Sequence, residues 1–93
     1  MKKKGPVMKS IYSPQYEYLV GRLQRARRES GLKQQVVADK IGRYQSYLSK
    51  IEHGDRRIDV LELLELARLY KKDIEYFIPP KKLQAEGDKK KNK

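Results

Sequence analysis

The chain has no cysteine, no tryptophan, one phenylalanine and one histidine. Without cysteine there can be no disulfide, no thiolate nucleophile and no cysteine-ligated zinc, which fits a cytoplasmic protein. His53 stands alone, with no cysteine or second histidine to complete a metal site, and reads as a solvated turn residue. No apolar run approaches the roughly 18 residues of a membrane span, and no apolar stretch follows the basic start to make a signal peptide. Acidic residues are also scarce, twelve against twenty-three lysines and arginines. They are scattered, and no Ser-His-Asp, Cys-His, zinc-ligand or phosphate-loop spacing appears. An enzyme is therefore the weakest reading, and neither a cofactor nor a small-molecule ligand is expected.

What the chain does have is positive charge, unevenly placed. The net charge is +11 over 93 residues. Residues 1–12 hold four lysines and no acid, and residues 81–93 hold six lysines against Glu86 and Asp88, so the two ends supply +8. Both ends lack periodicity and read as disordered basic tails, an N-terminal arm and a Lys-rich C-terminal tail. Between them, residues 13–57 carry ten basic and five acidic side chains, whereas residues 58–80 carry three and five. The part that can fold is thus electrically polar, and its positive half is suited to a phosphate backbone. That part, residues 13–80, is about 68 residues long, a size at which a single small core gives only marginal stability.

The periodicity of this central part is helical throughout. Ser13-Pro14 is a helix start, with serine as N-cap and proline where its missing N–H is harmless. The first helix runs to about Glu29, with Tyr16, Leu19, Val20, Leu23 and Ala26 as its inward stripe, and Gly31 ends it. The stretch from Gln34 to Gly54, QQVVADKIGRYQSYLSKIEHG, reads as two short helices about a tight turn. Lys33 to Ile41 forms the first, with Val37, Ala38 and Ile41 inward. Gly42 marks the reversal, and Gln45 to Glu52 forms the second, with Leu48 and Ile51 in the core. Tyr47 is either core filler or a contact to a base or sugar. Helices of about eight residues do not persist alone in water, so flanking helices must pack on them. Asp59 caps a fourth helix, with Glu62 three residues on in an approximate capping box. Val60, Leu63, Leu64, Ala67 and Tyr70 are its expected buried face, while Glu62, Glu65 and Arg68 face water. Asp73 caps a short fifth helix carrying Ile74, Phe77 and Ile78 before Pro79-Pro80 stop the fold.

The ordered set Gln34, Val37-Ala38, Gly42, Gln45-Ser46 and Ser49-Lys50-Ile51-Glu52-His53-Gly54 resembles the helix-turn-helix of the phage Cro and repressor class. This is the large lambda-repressor-like, or XRE, family of prokaryotic regulators. The resemblance spans roughly residues 15–79 and implies a compact, all-α, five-helix domain with its helix-turn-helix at about residues 33–53. It also implies that helix 45–52 enters the DNA major groove. Gln45, Ser46 and Lys50 are then the expected base readers, with Ser49 a weaker fourth, because glutamine can bond adenine N6 and N7 and lysine can donate to guanine. Gln34 resembles the family's phosphate-binding glutamine, although an ordinary exposed first-turn residue is the bland alternative. Arg43 and Tyr44 stand where the family often has a small hydrophobe and a capping Ser or Thr. They are expected at the phosphate backbone, with plain packing open for Tyr44. Arg56 and Arg57, in the loop after Gly54, are expected to position the protein on phosphates. Arg27, four residues before Gly31, is implied to pair with Glu52 as an architectural ion pair. Two further departures are Val36, where a charge is usual, and Lys71-Lys72, where the family usually has glycine and an apolar residue.

The expected function is that of a sequence-specific, double-stranded DNA-binding transcriptional regulator, acting as a homodimer on a short palindromic operator. An antitoxin-like or other protein-interaction module that binds DNA secondarily is the main competitor, with Val36 and Tyr18 as its expected patch. A non-specific binder driven by its lysine tails is the other.

Overall fold

The computed structural model describes residues 13–84; the expectations for residues 1–12 and 85–93 lie outside them. Five helices and one 3-10 turn follow one another: α1 (Pro14–Ser30), α2 (Gln34–Lys40), α3 (Gln45–Glu52), α4 (Val60–Leu69), the 3-10 turn Ile74–Tyr76, and α5 (Lys81–Gln84). No strand occurs among the described residues. The helix starts follow local chemistry. Ser13 accepts a hydrogen bond from the Tyr16 N–H with Pro14 directly after it, and Asp59 accepts one from the Glu62 N–H. Each cap satisfies one of the backbone donors that a helix leaves unpaired at its N-terminus.

All four longer helices stop in the same way. The chain turns into the left-handed region at the C-cap itself in α1 (Gly31) and one residue past it in α2, α3 and α4, and two backbone N–H groups reach back to the last turn. After α2, Gly42 (φ 70°) donates to the Asp39 carbonyl and Arg43 to the Ala38 carbonyl. After α4 the same two bonds run from Lys71 to Arg68 and from Lys72 to Ala67, but the residue at positive φ is Lys71, at 60°. Lys71 is the one described residue other than glycine in that region. Adding a Cβ at Gly42 would meet nothing within 4 Å, so the backbone angle, not crowding, is what favours glycine there.

The core gathers one face of each helix around Leu23, Val37, Leu48, Ile51, Leu66 and Phe77, all essentially inaccessible. Burying such side chains contributes about 1.5–3 kcal/mol each, which is what holds the short α2 and α3 in place. Tyr76 meets Phe77 edge-on at 5.1 Å between ring centres.

Several expectations need correction. Val60 and Leu64 were expected inside α4, yet they are 64% and 43% exposed, and Leu61 is 73% exposed. The inward positions are Leu63, Leu66, Ala67 and Tyr70, which follow the i, i+3, i+4, i+7 period. Seven of the ten residues of α4 are apolar, more than one side of a helix can turn into one core. Leu19, Ile41 and Ile74 are only partly buried, and Ile78, expected in the core, is 41% exposed. The fifth helix expected after Asp73 is a single 3-10 turn without a side-chain cap. The chain then continues past Pro80 into α5, where a disordered tail was expected from residue 81; the Gln15 amide donates to the Leu83 carbonyl at 3.1 Å.

Candidate nucleic-acid interface

The ends of α3 are held from inside the fold by a row of polar groups. Glu52, the last residue of α3, is buried at 4% exposure. Arg27 of α1 grips its carboxylate in a fork, Nε to Oε2 at 2.7 Å and Nη2 to Oε1 at 3.1 Å, while Nη1 donates to the Leu32 carbonyl at 3.0 Å. The bonds to Glu52 hold the Arg27 guanidinium above its usual pKa, against the opposing effect of burial. Gln24 donates to the Glu52 backbone carbonyl. The Gln34 amide, from the first turn of α2, donates to Glu52 Oε1 at 2.9 Å. Gln34 Oε1 in turn accepts a bond from Gln45 Nε2 at 3.2 Å.

The arrangement therefore runs Arg27, Glu52, Gln34, Gln45, from the half-buried middle of the molecule to the exposed first residue of α3. Gln34 is neither an isolated first-turn residue nor wholly free for a phosphate, since one of its N–H groups is committed to Glu52. Gln45 keeps its own carbonyl oxygen and its second N–H for a base edge. That is one acceptor and one donor, matching adenine N6 and N7.

Beside Gln45, a cleft of about 350 Å³ is lined by Gly42, Arg43, Tyr44, Ser46, Tyr47, Lys50 and Arg56. It brings together five residues that the sequence places in two functional classes: Ser46 and Lys50 as base readers, Arg43, Tyr44 and Arg56 as phosphate contacts. Tyr44 occupies the N-cap position of α3 with no side-chain cap bond and is 82% exposed. Tyr47, half-buried, has two guanidiniums over its ring, Arg43 at 4.7 Å and Arg56 at 4.8 Å from its centre. It is thus more than core filler, because it is the surface on which both arginines rest. Ser49 is half-buried and faces His53, whose Nδ1 lies 2.8 Å from the Ser49 carbonyl and 3.4 Å from its hydroxyl.

Three further contributors have distant partners that their place in the sequence does not reveal. The Tyr16 hydroxyl donates to the Arg56 carbonyl at 3.1 Å and accepts from the Ile58 N–H at 3.0 Å, pinning the arginine loop to the start of α1. Burial pushes this hydroxyl above its usual pKa, opposed by the Ile58 N–H and by Arg57. Arg57 lies over the Tyr16 ring at 4.7 Å, away from the cleft that holds Arg56. Gln24 is the second contributor. Glu62 is the third: expected to face water, it is ion-paired with Arg43.

Among the described residues no cluster of histidine, cysteine and carboxylates could hold a metal ion, and no helix is long and apolar enough to cross a membrane. A family model described as helix-turn-helix, of the lambda-repressor-like class, matches residues 23–77. No curated protein and no solved structure gave a significant match.

Proposed function

This chain belongs to the helix-turn-helix family of lambda-repressor-like proteins, and we propose that it is a sequence-specific regulator that binds double-stranded DNA with α3 in the major groove. The observation that carries the reading is the position of Gln45. It sits exposed at the front of α3, oriented by Gln34 and, behind it, by the buried Arg27–Glu52 pair. A polar side chain held at its post in this way is suited to base recognition, where orientation decides which edge is read. Ser46 and Lys50 read bases alongside it, and Ser49, turned toward His53, contributes less. Arg43, Tyr44, Arg56 and Arg57 position the protein on phosphates, as does the remaining N–H of Gln34.

One such domain covers a half-site, so the protein acts as a homodimer on two half-sites about one helical turn apart. The uncovered apolar residues Val60, Leu61 and Leu64 of α4 offer a surface for the second copy. The same residues favour the alternative reading, a module for a different protein partner that binds DNA secondarily; of the pair expected to form its patch, Val36 is 39% exposed and Tyr18 is half-buried with Arg22 over its ring.

Site selection from random duplex DNA tests the proposal. The expected product is a short palindrome, and Gln45→Ala should weaken binding to it by about 1–3 kcal/mol while relaxing preference at one base pair. Recovery of no preferred sequence, or an equal loss on selected and random DNA in Gln45→Ala, would refute it.

A further inference from the structure

The cleft beside α3 collects three cations, Arg43, Lys50 and Arg56. One of them is already answered from within the protein. Glu62, on the first turn of α4, forms an ion pair with Arg43 from a position where its own side chain is only 13% exposed, whereas that of Arg43 is 44% exposed. The Arg43 guanidinium also lies against the Tyr47 ring, 4.7 Å from its centre. Arg56, on the same ring, has no such carboxylate in contact among the ion pairs of the described residues.

We propose that Glu62 is an intramolecular counter-ion that stands in for a DNA phosphate at Arg43 and must be displaced, or shared, when duplex binds. The inference rests on the DNA-binding reading above and adds a restraint to it. Phosphate contacts are blind to sequence, and in a chain of net charge +11 they would drive binding to any duplex. Glu62 lowers that sequence-independent component and leaves discrimination to Gln45, Ser46 and Lys50. Glu62 is suited to this role because its post does not depend on Arg43. It is the third residue of α4, and its backbone N–H donates to the Asp59 side chain at 2.9 Å, a bond that does not involve Arg43.

The test uses the full chain, titrated with a random-sequence duplex and with the selected site over a series of salt concentrations. Glu62→Gln keeps the size of the side chain and the cap, and an ion pair whose arginine is 44% exposed contributes little to stability, so the thermal midpoint should hold within a few degrees. On random duplex this variant should bind up to about fivefold more tightly. Its slope of log affinity against log salt should steepen by up to about 0.9, the value of one additional neutralised phosphate. The same factor should appear on the selected site, since the effect is not sequence-dependent. In an Arg43→Gln background, Glu62→Gln should change neither affinity nor slope. Unchanged affinity and slope in Glu62→Gln would overturn the inference. So would an equal tightening in the Arg43→Gln background, which would mean that the loss of one negative charge acts through the general field and not through Arg43. Wild-type protein with no salt-dependent duplex binding would refute the DNA reading itself, and the role of Glu62 with it.

Discussion

Arg27→Met is the substitution that most directly tests how α3 is held. Methionine keeps much of the apolar stem but removes both bonds to the Glu52 carboxylate and the bond to the Leu32 carbonyl. Glu52, at 4% exposure, would keep only the Gln34 N–H as a partner for a full negative charge. Stranding one half of a buried pair destabilises by about 3–5 kcal/mol. At roughly 0.05–0.15 kcal/mol per residue, a fold of this size has about 4–11 kcal/mol in all, so the loss is close to half of it. In a urea titration the midpoint should fall at an unchanged m-value, by about 2–3 M if m is near 1.5 kcal/mol/M. The thermal midpoint should drop by at least about 12 °C. The double variant Arg27→Met/Glu52→Leu removes both charges and should recover most of the loss, because an apolar pair needs no partner. A loss below about 1 kcal/mol in the single variant would refute the assignment. A double variant no better than the single would show that packing, not the stranded charge, is what was lost.

Lys71→Gly should stabilise the domain by about 1 kcal/mol and raise the thermal midpoint by about 4–8 °C, since a side chain at φ 60° is strained where glycine is not; a lower midpoint would contradict this. Tyr70→Phe should leave stability at pH 7 unchanged or raise it by up to about 1 kcal/mol, because the Tyr70 hydroxyl is buried without a hydrogen-bond partner. Burial also raises the pKa of that hydroxyl, so the folded state keeps a proton that the unfolded chain releases above about pH 10. This contribution is present in full below pH 10 and is lost as pH rises further; urea titrations from pH 9 to 11 should show a shallower decline in Tyr70→Phe, and an equal decline would refute the point. In the proposed homodimer, Leu61→Glu, at a 73% exposed position, should change stability by no more than about 0.5 kcal/mol yet shift sedimentation toward the monomer and weaken binding to a two-half-site duplex. A variant that still sediments as the dimer would remove α4 from the subunit contact.

Local chemistry made much of this molecule legible in its sequence. Ser13, Asp59, Gly31, Gly42 and Gly54 mark helix ends through interactions with residues three to five positions away, and such interactions follow from chain order alone. The period of α2 and α3 and the ordered Gln, Gly and Ser-Lys-Ile-Glu positions were legible for the same reason, and the resemblance they carry led to the Arg27–Glu52 pair. Other features depend on which surfaces meet after the helices pack. In α4 the apolar residues surround the helix, so sequence alone could not choose between Leu64 and Leu66; the position of Phe77 and Leu23 on one side decided it. The bonds from Gln34 to Glu52 and Gln45, from Glu62 to Arg43 and from Tyr16 to Arg56 join residues 11 to 40 positions apart. A hydrogen bond senses distance and angle in space, and a polar residue's composition or spacing does not reveal which distant partner the fold will bring within hydrogen-bonding distance.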